Sequence, residues 1–269
     1  TDAFPLPFTD SVLDAVAGHD MYSFLDGFSG YNQVRMHPDD QEKTAFVTDW
    51  GVYVAVVMMF GLKTAPATFQ RTITEIFGEY IPIFMQVFLD DFAVYGTASD
   101  HLKHLQLCLD RCRVSRLSLN PAKCAFGVTS GSLLGHIVSK EGIAVDPNKV
   151  TAITQAKTPV NAKALSRFLG QIRWHSRMLR HLADFATPLH AAVHRIPFAW
   201  TTVEDKAYEA LKVMLTQAPV VQPPDWDKPF HVFVDASDIA IGSALMQLTE
   251  PAWYRPVYYA SRKLSTAER

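Results

Sequence analysis

The chain is 269 residues long, 48% apolar and 19% charged, with a net charge of −2. That length supports one large core or two to three smaller domains, and the composition excludes a disordered or fibrous protein. The longest apolar run, VYVAVVMMFGL from Val52, is about half of a membrane span. With no secretory pattern at the start, these features predict a chain without a membrane partner, cut from a longer polypeptide. Three cysteines, Cys108, Cys112 and Cys124, lack zinc-site spacing and predict reduced thiols in an intracellular protein.

The net charge conceals a segregation. Residues 1–50 carry nine acidic side chains against two basic ones, whereas residues 157–200 carry seven basic against one acidic. One acidic and one basic region suggest a metal-binding half and a half that grips a polyanion, with solvated surfaces as the plainer alternative.

In chain order, TDSVLDAVAG predicts a helix capped by Thr9 or Asp10, with Val12, Leu13 and Val16 on one face and Gly18 at its end. MYSFL reads as a strand running into Asp26, and TAFVT and GVYVAVVMMF as two or three further strands. Pro66 opens a helix whose apolar stripe includes Phe69, Ile73 and Phe77. The arms IFMQVFL and FAVYG meet at Asp90-Asp91. An amphipathic helix follows, with Leu102, Leu105, Leu109 and Cys112 as its apolar stripe. Asn161 caps a long helix with Leu165, Phe168, Leu169 and Ile172 inward and Arg173, Arg177 and Arg180 following at i, i+4, i+7. A helix from Glu204 to Leu215, a proline-rich linker and three strands in meander order complete the chain.

Asp90 and Asp91 are the chemical anomaly, because an unpaired charge in an apolar strand is costly and a like charge beside it raises that cost. Adjacent strand residues point to opposite faces, so both acids can approach one site only at or near a turn. A two-residue turn prefers Asn-Gly or Asp-Gly, which makes a merely structural Asp-Asp turn a poor choice. Hard-cation binding is the functional alternative: Mg²⁺ takes carboxylate and phosphate oxygens, and paired ions clamp an in-line phosphoryl displacement. Asp26 is the best third acid, since it also ends an apolar strand and precedes the glycine-bearing turn GFSGY.

The stretches LDGFSGYNQV, FGLKTAPATFQR, VFLDDFAVYG, LNPAKCAFG and LLGHIVSKEGI, in this order, resemble the reverse transcriptase of gypsy-type LTR retrotransposons. SRFLGQIRWHSRML, PFAWTTVEDKAYEALK and FVDASDIAIGSALMQ resemble the thumb and the RNase H start of the same polyprotein, so the likeness covers essentially the whole chain. It implies an α+β right-hand polymerase fold, with partial fingers and palm over 1–145, a helical thumb over 146–222 and the first strands of a truncated RNase H-like domain over 223–269. It implies an RNA-directed DNA polymerase with Asp26, Asp90 and Asp91 as catalytic triad, two Mg²⁺ ions (or Mn²⁺) on Asp26 and Asp90 beside Gly27, and Asp91 more peripheral. Phe28, Ser29, Gly30, Tyr31, Phe60, Gln70 and Lys123 are implied nucleotide contacts, Tyr31 as a gate against a ribose 2′-OH and Lys123 as a proton donor to pyrophosphate. From the residues alone, a core tyrosine, an exposed helical glutamine and an ordinary loop lysine remain alternatives.

Arg173, Arg177 and Arg180 are implied contacts to the template–primer, and Asp235 matches the first RNase H acid. The implied partners are an RNA or DNA template with primer, dNTPs, polyprotein neighbours (protease, integrase) and a second copy of the chain. The implied location is intracellular: the cytoplasm, virus-like particles or the nucleus. Two departures stand out: Met59 replaces a usual proline, and the basic fingers segment expected before FPLP is not within this sequence. The expected second RNase H acid is also missing, so no RNase H activity is predicted. A catalytically inactive or domesticated RNA–DNA binding module is the alternative from another class, and an unrelated two-metal nuclease would explain the acids but not the other blocks.

Overall fold

The computed structural model describes residues 2–250 and 252–268. Two compact units divide the chain, one up to Leu134 and one from Gly135. The first contains α1 (Thr9–Val16), β1 (Met21–Asp26), the short α2 (Pro38–Gln41), β2 (Phe46–Thr48), β3 (Gly51–Tyr53), α3 (Ala65–Phe77), β4 (Met85–Phe88), β5 (Asp91–Gly96), α4 (His101–Val114), β6 (Ala125–Val128) and β7 (Ser130–Leu133).

Its centre is a four-stranded sheet in the order β4-β5-β1-β6. β5 pairs antiparallel with both β4 and β1, and α1, α3 and α4 pack against these strands. α3 follows its sequence pattern: Pro66 occupies the first turn, where no N–H partner is lost, and Phe69, Ile73 and Phe77 are fully buried. These side chains belong to the core with Met85, Val87 and Phe92, each contributing about 1.5–3 kcal/mol relative to exposure.

Two expectations need correction. The buried face of α4 is His101, Cys108 and Cys112, while Leu102 is 75% exposed. The physical reason is polar: His101 Nε2 lies 2.8 Å from the buried Ser23 Oγ, and this contact turns the helix away from its leucine stripe. Second, the run GVYVAVVMMF forms strand only as far as Tyr53, and Val47, Trp50 and Val52 on the β2–β3 hairpin are exposed. No described helix is long and apolar enough to cross a membrane.

The second unit contains β8 (His136–Ser139), β9 (Gly142–Val145), α5 (Pro147–Thr154), α6 (Ala162–Trp174), α7 (Leu182–Val193), α8 (Thr202–Thr216), β10 (His231–Ala236), β11 (Ala240–Glu250) and β12 (Trp253–Lys263). The β8–β9 hairpin, grouped with residues 1–145 by the sequence, lies here with the helices. Ile143 N donates to Val221 O at 2.8 Å, and Val221 N donates to Ile143 O at 3.0 Å. Asn161 caps α6 as its residue type predicts, its side chain accepting from Ala164 N at 2.9 Å. Leu165, Phe168, Leu169 and Ile172 are buried beneath it with Leu189, Tyr208 and Leu211. β10, β11 and β12 form the expected antiparallel meander.

Candidate active site

β1 buries Tyr22, Ser23 and Leu25 and releases Asp26 at the end of the sheet, where its side chain is 23% exposed. Both backbone groups of Asp26 are tied down. Its N–H donates to Cys124 Sγ at 3.4 Å, and its carbonyl accepts from Asn120 N at 2.9 Å. The same Asn120 carbonyl accepts from Lys123 N at 3.0 Å, so one turn positions both the acid and the lysine. Lys123 Nζ then stands 3.5 Å from Asp26 Oδ2.

The register of the β4–β5 hairpin pairs Phe88 with Asp91 and leaves Leu89 and Asp90 as its two turn residues. Leu89 has φ +51°, a left-handed conformation that costs an L-residue about 1–2 kcal/mol. Of the two turn residues only Leu89 has positive φ, a conformation that normally calls for glycine. The buried amide of Gln70 holds this turn: its Oε1 accepts from Leu89 N at 2.7 Å and its Nε2 donates to Val87 O at 3.1 Å. Gln70 is therefore not an exposed helical residue, and it is not among the walls of the cavity that Asp26, Asp90 and Lys123 share. It supports the turn that carries Asp90.

Asp90 Oδ1 is buried without a hydrogen-bond partner. It rests against Gly30, where an added Cβ would overlap both that carboxylate and the Phe69 ring. Burial, then the charge of Asp26, raises the Asp90 pKa, while Lys123 opposes the shift. Asp91, cross-strand neighbour of Asp26, is raised by desolvation and then by Asp26 and Asp90. Like charges directly opposite each other are destabilising in a sheet. These carboxyls are thus under-compensated by protein alone.

Asp26, the Gly27–Gly30 backbone turn, Phe28, Ser29, Phe60, Asp90, Asn120 and Lys123 surround one cavity of about 230 Å³. Sequence reasoning missed Asn120 and Cys124; the Asn-Pro turn beside Lys123 was the available signal for the first. Tyr31 packs behind this cavity, 5.1 Å from Phe60 and edge-on to Phe69 at 5.3 Å between ring centroids. Burial, then Asp90, raises its hydroxyl pKa. Asp91 is not among the cavity walls.

The donor set fits a hard divalent cation: the acids offer oxygen ligands, and the buried, unpartnered Oδ1 of Asp90 calls for a positive charge. Among the described residues, no three His, Cys, Asp or Glu side chains are gathered tightly enough to hold a metal by themselves. Protein carboxylates plus substrate phosphates and water make the more suitable ligand set.

The three predicted arginines do not share a face. α6 ends at Trp174, and only Arg173 belongs to it. Arg177 is 2% exposed, donates to Val257 O at 3.3 Å and stacks over the Tyr258 ring. Its assignment to the duplex-binding surface is corrected: it is a buried staple between the helical region and β12. Arg180 lines a different cavity, with His181 and Asp235.

Residues 2–138 match the family described as "Reverse transcriptase (RNA-dependent DNA polymerase)", and residues 200–269 match "RNase H-like domain found in reverse transcriptase". The chain is 34% identical to the retrovirus-related Pol polyprotein from transposon opus of Drosophila melanogaster, over 99% of this chain and 28% of that protein. It is 31% identical to the transposon Tf2-3 polyprotein of Schizosaccharomyces pombe, over 98% of this chain and 20% of that protein. The chain therefore spans less than a third of the length of these relatives.

Among solved structures, the foamy viral protease-reverse transcriptase in complex with an RNA/DNA hybrid matches at TM-score 0.86 and 18% identity, over 99% of this chain and 36% of that one. A form of that protein in complex with double-stranded DNA matches at TM-score 0.88 and 20% identity, over 99% and 47%. The fold is accordingly the right-hand polymerase fold with RNase H-like strands following it. With its matched family covering residues 2–138 and its fold matched along nearly the whole length, the chain belongs to the reverse transcriptase (RNA-dependent DNA polymerase) family.

Proposed function

We propose that the chain is the polymerase core of an RNA-directed DNA polymerase, extending a primer 3′-OH with dNTPs on an RNA or DNA template. The observation that carries this reading is the shared cavity of Asp26, Asp90 and Lys123, in which Asp90 Oδ1 is buried and unpartnered. Asp26 and Asp90 are the residues that would hold divalent cations, Mg²⁺ or Mn²⁺, with Asp91 reinforcing the negative potential from the next strand position. Bound there, two such ions would supply charge stabilisation to an in-line phosphoryl displacement.

The chain's own residues do the rest. The Gly27–Gly30 turn lets the backbone come close to a triphosphate, Phe28 and Phe60 wall the base and sugar, and Lys123 places its ammonium beside the departing phosphates. Tyr31 backs the cavity wall residue Phe60, and this contact is what supports the ribose-excluding role. Catalysis of this type is mostly positioning and charge complementarity, so small displacements of Asp90 should be expensive.

The test is primer extension on an RNA template by the complete polyprotein. Asp90→Asn is expected to lower turnover by about 10²–10³-fold or more, comparable to removing a principal electrostatic stabiliser. Extension at the wild-type rate by this variant overturns the reading.

A further inference from the structure

Phe28 lines the Asp26–Asp90 cavity with little packing of its own: it is 54% exposed and meets no other ring among the described residues. The next residue, Ser29, has φ +48°, a left-handed conformation unfavourable for an L-residue, so the turn does not fix itself either. The placement of Phe28 therefore rests on its backbone hydrogen bonds, and both involve one neighbourhood. Phe28 N donates to Ser118 O at 3.0 Å, and Phe28 O accepts from Gln33 Nε2 at 2.6 Å. The same Gln33 amide holds both backbone groups of Ser118. Its Nε2 donates to Ser118 O at 3.0 Å, and its Oε1 accepts from Ser118 N at 2.7 Å. Asn120 and Lys123, in the turn that follows Ser118, also line the cavity. One side chain thus joins two wall-bearing segments across 85 residues of sequence.

We propose that Gln33 is a positioning residue for the incoming nucleotide. Its amide sets the spacing between Phe28 and the Asn120–Lys123 turn, and through that spacing the fit of the cavity to a nucleoside triphosphate. This role rests on the reading of the chain as a polymerase. Gln33 is not itself among the lining residues, so it acts through Phe28 and Ser118. A primary amide is the group this geometry requires. Two carbonyls and one N–H must be met by two donors on one atom and an acceptor on another, which a carboxylate cannot supply. The acids are held by other contacts: Asp26 by its place on β1 and by Asn120 N, Asp90 by the hairpin that Gln70 supports. Losing the Gln33 bonds should therefore loosen nucleotide binding and spare the chemical step.

Two variants test this. Gln33→Met keeps the length and removes every bond, whereas Gln33→Glu keeps the acceptor for Ser118 N and loses both donors. In hydrogen exchange of the full chain, the amides of Phe28 and Ser118 are expected to exchange about fivefold faster or more in Gln33→Met. In the complete polyprotein, both variants are expected to raise KM for dNTP about five- to tenfold, the scale of one hydrogen bond, with kcat within about twofold of wild type. A glutamine that only stabilised the fold would lower the melting temperature and leave KM as it is. Unchanged exchange at Phe28 and Ser118 in Gln33→Met, a wild-type KM in either variant, or a fall in kcat with KM unchanged overturns the proposal. A wild-type polyprotein that extends no primer overturns the polymerase reading instead, and the positioning role with it, even where the exchange result stands.

Discussion

The most consequential side chain after the acids is Gln70. Its amide satisfies Leu89 N and Val87 O at once and so holds a non-glycine residue at positive φ in the turn that presents Asp90. Gln70→Ala leaves both backbone groups without this partner beside a strained turn, which is expected to cost about 1–3 kcal/mol of stability. Urea unfolding of the variant against wild type measures this. In the complete polyprotein the same variant should lower kcat for primer extension and leave KM for dNTP nearly unchanged, because it displaces a carboxylate rather than a nucleotide contact. A rise in KM with kcat unchanged would instead make Gln70 a nucleotide contact. The sequence showed a glutamine on a helix with apolar neighbours, and both of its readings were local. Neither included a bond to a turn 19 residues away, which no periodicity encodes.

At the scale of elements, local grammar worked where a helix or strand depends on its own residues. α8 is an example: Thr201 and Glu204 form a capping box, with Thr201 N donating to Glu204 Oε2 at 2.8 Å and Arg195 pairing with Glu204 at 2.9 Å. Its hydrogen bonds, led by that of the Thr201 side chain, hold the Glu204 pKa down at about 2. Thr201→Ala is expected to destabilise the fold by about 1 kcal/mol, readable as a lowered urea midpoint with unchanged m. Two of the misread elements were decided by partners. α4 rotates to seat His101 on Ser23, and the basic run at 173–180 breaks because α6 stops at Trp174 and Arg177 turns inward to β12. Charge periodicity alone could not reveal the burial of an arginine, since a cation is buried only where a carbonyl and a ring are waiting for it.

On the scale of the molecule, the second unit contains a titration that should govern its acid stability. His175 is buried with its Nδ1 3.1 Å from His136 Nε2, and burial followed by the proximity of His136 lowers its pKa to about 4. A histidine neutral in the fold and free to protonate when unfolded stabilises the fold above its unfolded pKa of 6.5. That contribution is lost as pH falls from about 6.5 toward 4, by an amount on the order of 2–3 kcal/mol. Urea unfolding at pH 7, 5.5 and 4.5 should show the decline, and His175→Gln should flatten it. An equally steep decline in the variant would place the effect on other groups.

By itself the sequence determined the order of elements, the apolar stripes of α3 and α6 and the hairpin ending at the acids, because each rests on spacing along the chain, and its ordered motifs carried the resemblance to the family. It also singled out Asp26, Asp90 and Lys123, which the fold brings around one cavity. Only the tertiary structure decided that Leu89 and Asp90, rather than the two acids, form the turn. Only the tertiary structure assigned Gln70 to holding that turn and Arg177 to the interior, and joined Gln33 to Phe28 and Ser118. The physical reason is the same in each case. Spacing reports which face a residue shares with its neighbours, whereas burial of a polar group depends on a partner supplied from a distant part of the chain.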